Sequence, residues 1–146
     1  MQRPISTRLH GILDYVSVPT LLALPRVLGW SPTVTGLLTG SALGTLGASL
    51  MTKYELGLVK LLPVPGHLAL DGMTGGLLAA APFLLLDEND KKGNVTPILL
   101  GLGLFEIGAA LLTKTKPSFQ EQASQLGDQL EDRVRQAADR GQSVGA

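Results

Sequence analysis

The sequence predicts an all-α polytopic membrane protein. Four transmembrane helices form two tandem repeated hairpins, and an amphipathic cytoplasmic helix follows at the C-terminal end. Three observations carry this expectation. Charged residues make up only 16% of the 146-residue chain, against about a quarter in soluble domains. Four apolar stretches each have about the length that a bilayer core asks of a helix, roughly 20 residues. The stretches also repeat: the third resembles the first and the fourth resembles the second.

The apolar stretches run from about Leu9 to Trp30, Thr33 to Thr52, Val64 to Leu86 and Val95 to Thr113. None alternates with the period of two that a strand needs. Inside lipid every backbone polar group needs an internal partner, which also favours helices. Pro19, Pro25 and Pro82 should kink or end their helices. Arg3 and Arg8 precede the first stretch, but it is long, holds Asp14 and two prolines, and lacks a clean small-x-small site; it reads as a retained span rather than a cleaved signal. Lysine and arginine set the orientation. With the N-terminus inside, Arg3, Arg8, Lys53, Lys60, Lys114 and Lys116 fall on the cytoplasmic side, and Arg26, Lys91 and Lys92 fall outside. Both termini are therefore expected in the cytoplasm, with Trp30 at the outer interface.

The repeat is explicit in the residues. A shift of 57 brings His10 onto His67, Asp14 onto Asp71 and Pro25 onto Pro82. A shift of 61 brings Gly40 onto Gly101, Gly47 onto Gly108, and the Thr-Lys pair at 52–53 onto the one at 113–114. The membrane domain thus spans residues 1–117, with repeats at about 5–60 and 61–117; parallel repeats of this kind are related by an axis along the membrane normal. Gly36, Gly40 and Gly44 form one stripe of small residues, and Gly72 and Gly76 continue to Ala80 in another. Such spacing lets helix backbones approach closely, within one chain or between chains. After Pro117 the composition turns polar. Residues 118–146 read as a helical tail: Ser118 and Glu121 fit a capping box, Phe119, Ala123, Leu126, Leu130, Val134 and Ala137 recur at spacings of three and four, and Gly141 is a candidate terminator. A solvated tail and a helix that meets a helical partner both fit this pattern.

Five ionisable residues mark the apolar stretches: His10, Asp14, His67, Asp71 and Glu106. Ionisable groups in a span are costly and usually face the bundle interior or water. His10 and Asp14 share a helix face at i, i+4, as do His67 and Asp71. Three readings are open. The dyads are structural, each histidine bonding its aspartate near a helix N-terminus. Or they join Glu106 in a site for proton or small-solute passage, or for a hydrophobic ligand such as a quinone. Or they hold a metal or haem, leaving the cofactor unknown. The absence of cysteine removes thiolate sites and disulfides. No HExxH, P-loop, GxSxG or dinucleotide fingerprint is present. Zero net charge gives no footing for nucleic acid. "TKYELGLVKLLPVPG", with Tyr54 and Glu55, reads as an interfacial link that anchors topology.

The stretches "STRLHGILDY", "TKYELGLVKLLPVPGHLALD" and "GLFEIGAALLTKTKP", with turns "ALPRVLGW" and "AAPFLLLD", resemble the bacterial SPW-repeat integral membrane proteins over roughly residues 5–117. Arg26 and Phe83 stand where that family has its tryptophan. The resemblance implies a four-helix protein of the bacterial inner membrane and brings no activity with it. The expectation is a non-enzymatic membrane protein, structural or an accessory of a larger assembly. Its partners would be the bilayer, further copies of itself or another membrane protein, and a helical partner for the tail. The alternative is a small binding or transport protein that uses the dyads and Glu106.

Overall fold

The structure, a computed structural model, describes the backbone of residues 3–144 and the side chains of residues 3–138. The described residues form five α-helices: α1 (Thr7–Val27), α2 (Pro32–Met51), α3 (Val64–Leu84), α4 (Val95–Leu112) and α5 (Ser118–Val144). Each of the first four lies inside its apolar stretch to within a few residues. Local chemistry sets the starts. The Ser6 hydroxyl accepts the Leu9 N–H at 3.2 Å, and the Ser31 hydroxyl accepts the Val34 N–H at 3.3 Å with Pro32 following in the first turn. Pro25 and Pro82 stand in the last turns of α1 and α3, which end two residues later at Val27 and Leu84, whereas Pro19 is carried within α1. Gly29 and Gly93 take left-handed backbone (φ 64° and 72°) in the turns that leave α1 and lead into α4, a conformation that costs glycine little.

Helix α1 packs on α2 and α3 packs on α4, so the two expected hairpins are present; α2 and α3 join them. The ends opposite those turns close in a repeated way. Ile5 N–H bonds Leu112 O (3.1 Å) and Lys114 N–H bonds Ile5 O (2.9 Å), while Leu62 N–H bonds Met51 O (2.7 Å) and Lys53 N–H bonds Leu62 O (2.8 Å). Ile5 maps onto Leu62 and Thr113 onto Thr52 under the sequence repeat, so each hairpin is clasped to the other by an equivalent backbone bridge.

The expectation of four crossing helices is met in part, and others need correction. By length and composition α2 and α4 are the helices apolar enough to cross a bilayer. Arg8, Asp14 and Arg26 dilute the apolar character of α1, and glycines, prolines, His67 and Asp71 dilute that of α3. The glycine stripes do not make the close approaches within the chain: a Cβ on Gly36, Gly40, Gly44, Gly72 or Gly76 would meet nothing within 4 Å. The close crossing is instead between α3 and α4, where a Cβ on Gly75 would lie 2.7 Å from Gly103 O and one on Gly103 would lie 2.6 Å from Ala79 N. The tail is helical, but it runs through Gly141 to Val144, and its start is not a capping box. The Ser118 N–H bonds Glu55 Oε1 at 2.9 Å, and Glu121 accepts from Lys114 Nζ at 3.1 Å.

Polar groups are buried beside the apolar core, and many large apolar side chains are exposed. Buried positions include Thr7, His10, Asp14, Ser49, His67 and Asp71, whereas Leu43, Met73, Leu77, Phe83, Leu104 and Leu111 are exposed. One apolar core, including Leu21, Val34, Leu38, Leu78 and Leu99, lies toward the turns; a smaller one of Tyr54, Val64, Leu68 and Ala110 lies toward the clasped ends.

Candidate functional site

His10 and Asp14 face inward from the first half of α1, and His67 and Asp71 do the same from α3. All four are buried. The helical i, i+4 spacing places each pair on one face, but each Asp lies closest to the histidine of the other helix. His10 Nε2 lies 2.9 Å from Asp71 Oδ2 and His67 Nε2 lies 3.0 Å from Asp14 Oδ2. Within a helix the separations are 3.5 Å for His10–Asp14 and 3.1 Å for His67–Asp71. The expected two dyads are therefore one quartet, built across the interface between hairpins.

Three hydroxyls orient it. Thr113 Oγ1 is 2.6 Å from Ala109 O and 3.0 Å from His10 Nδ1. Thr52 Oγ1 is 2.6 Å from Ala48 O and 3.0 Å from His67 Nδ1. A hydroxyl has one proton. With that proton on the carbonyl one turn back, each threonine oxygen can only accept, so each Nδ1 carries a hydrogen and donates it. Both Nε2 atoms then face the carboxylates. Ser49 Oγ donates to Asp14 Oδ2 at 2.9 Å; its repeat counterpart is Ala110, so the second half lacks this bond. The threonines belong to the repeated Thr-Lys pairs, a signal visible in the sequence but carrying no sign there that it reaches the histidines.

Tyr54 closes the site on the clasped side. Its ring stands 5.8 Å from the His67 ring, centroid to centroid, in the space left by Gly11, where a Cβ would overlap it. Burial raises the Tyr54 pKa, with smaller contributions from the carboxylates of Asp14 and Asp71. The link expected at the interface is thus partly core. Glu55, beside it, accepts from Thr7 Oγ1 at 2.7 Å and from the Ser118 N–H. Burial acts to raise its pKa, but these hydrogen bonds outweigh it and hold the carboxyl below its ordinary value.

Glu106 is not bonded to the quartet. It lines, with His10, Asp14, Asp71, Thr45 and Ser17, a cavity of about 10 Å³, room for about one water. Its buried Oε2 has no protein hydrogen-bond partner. On its other side Glu106 borders an apolar groove of about 200 Å³ between α1 and α4, floored by Leu13, Val16, Leu102 and Phe105.

Chemically the quartet can hold positive charge: two carboxylates face two imidazole nitrogens, and their donor atoms lie within 4.8 Å of one another. It cannot hold haem. The imidazole rings are 5.3 Å apart at 86°, with carboxylate oxygens between them, which leaves no slot for a macrocycle. Comparison with family models, curated proteins and solved structures gave no match.

Proposed function

We propose that the chain is a non-enzymatic integral protein of the bacterial inner membrane, a structural or accessory component in which the quartet clamps two repeated hairpins together. In this reading α1 to α4 all cross the bilayer, both termini are cytoplasmic, and the quartet lies toward the cytoplasmic face. The resemblance to SPW-repeat proteins and the distribution of lysine and arginine support that placement. So do the buried polar groups and the many large apolar side chains left exposed, since extensive exposed apolar surface marks a membrane or protein contact. Helix α1 can cross in spite of its charges because Asp14 faces its partners.

One observation carries the clamp: the four ionisable side chains meet one another across the hairpins, beside a space too small for an organic substrate. The exposed tail and the unused glycine stripes are the surfaces offered to other proteins or further copies. Replacing Asp14→Ala or Asp71→Ala removes one partner of a buried pair and should cost about 3–5 kcal/mol. The double variant should cost less than the sum, because the two aspartates share both histidines. Thermal denaturation in detergent reads this, and single variants that melt with the parent protein would rule the clamp out.

A further inference from the structure

We infer that the His10, Asp14, His67 and Asp71 quartet is a binding site for one divalent first-row transition-metal ion. The inference deepens the clamp reading and rests on the four side chains meeting as they do there. It does not depend on how many helices cross a membrane.

The hydrogen-bond count argues for an ion at the common centre. His67 Nε2 stands 3.0 Å from Asp14 Oδ2 and 3.1 Å from Asp71 Oδ2. A single N–H points at one acceptor well, not at two. His10 Nε2 has the same problem, at 2.9 Å from Asp71 Oδ2 and 3.5 Å from Asp14 Oδ1. Asp71 Oδ2 lies within 3.1 Å of both Nε2 atoms. Each ring thus has one paired carboxylate and a second carboxylate oxygen close by, so both imidazole nitrogens and both carboxylates surround one common point, the arrangement a cation requires. The spacing agrees: adjacent ligand atoms around a six-coordinate ion with bonds of about 2.1 Å lie about 3.0 Å apart.

The supporting shell is that of a metal ligand. A metal-bound histidine commonly donates its other N–H to an oxygen, which fixes the tautomer and aims the lone pair. Thr113 and Thr52 accept from Nδ1 of both rings, and a carbonyl fixes each threonine in turn. Ser49 steadies Asp14. Two carboxylates balance a divalent charge in a site where all four side chains are at most 9% exposed. Two imidazoles and two carboxylates suit zinc, iron(II), manganese(II) or cobalt(II), rather than calcium or magnesium, which prefer oxygen donors, or copper(I), which prefers sulfur. The one-water cavity adjoins three of the four ligands. A water on the ion there would supply the donor that Glu106 Oε2 lacks.

The test uses the full chain, purified in detergent and stripped with a chelator, then titrated with Co²⁺ alone under an absorption spectrum. One equivalent should bind with ligand-field bands, survive gel filtration and be displaced by Zn²⁺. His10→Ala and His67→Ala should each lower affinity at least 100-fold. Thr113→Val and Thr52→Val leave all four ligands in place and should lower it about 10–100-fold. These threonine variants keep the test informative should the histidine variants not fold. Folded parent protein that takes up no Co²⁺, or His10→Ala and His67→Ala variants that bind it as tightly as the parent, overturns the ion and leaves the clamp standing. Aspartate variants as stable as the parent would instead remove the clamp and leave the ion to its own measurement.

Discussion

At the scale of residues, the decisive positions are those whose partners lie far away in sequence. His10 meets Asp71, and Thr113 orients His10 from the far end of α4. Glu55 is the other such residue. Read in sequence as part of an interfacial link, it accepts from Thr7 on α1 and from the first N–H of α5, so one carboxylate ties loop, bundle and tail together. Its pKa is lowered in the folded protein. A depressed carboxylate contributes stability above its unfolded pKa, about 4.3, and loses it as pH falls through that value toward the folded one. The tail should therefore undock on acidification below about pH 4.3. Amide exchange at Ser118 should accelerate there in the parent and already be fast at neutral pH in Glu55→Gln. Exchange that is insensitive to both changes would refute the docking role.

Among the elements, helix length and position were legible because hydropathy and proline report directly on them. The packing of glycines was not. Five glycines at regular spacing invited the expectation of close contact, yet the helices cross at Gly75 and Gly103, which belong to neither stripe as read. Periodicity shows that a face is smooth; it does not show which smooth face meets a neighbour. Gly103→Ala places a methyl group against α3 backbone and should cost about 1–3 kcal/mol. Gly40→Ala has open space and should be neutral or gain up to about 1 kcal/mol from helix propensity. Melting curves of the two variants in detergent compare them directly. A Gly40→Ala variant that is unchanged in stability but loses self-association in lipid would assign the stripe to contacts between chains.

For the whole molecule, the arrangement follows from duplication. Two hairpins, each carrying a histidine and an aspartate, close on one another through equivalent backbone bridges at Ile5–Thr113 and Leu62–Thr52. Neither half can complete the quartet alone, because each imidazole lies close to carboxylates from both halves. The proposed topology makes a simple prediction in a chain that has no cysteine. Asn89→Cys, between α3 and α4, should react with an impermeant thiol reagent from outside intact cells, and Ala137→Cys on α5 only after lysis. Labelling of both from the same side of intact cells would overturn four crossings with cytoplasmic termini.

What the sequence alone determined was the local and the repetitive: five helices near their observed limits, two hairpins, and a His-x-x-x-Asp element used twice. These follow from hydropathy, capping residues and self-similarity, all of which are properties of neighbouring residues or of a shift along the chain. Tertiary structure decided the rest. It turned two intrahelical dyads into one interhelical quartet, brought Thr52, Thr113 and Ser49 to it, drew Tyr54 from an expected interface into the core, and left Glu106 beside the cluster rather than in it. The physical reason is that i, i+4 spacing puts two side chains on a common face but does not set what that face meets. Only the meeting of the two hairpins placed a second carboxylate closer to His10 than the one on its own helix.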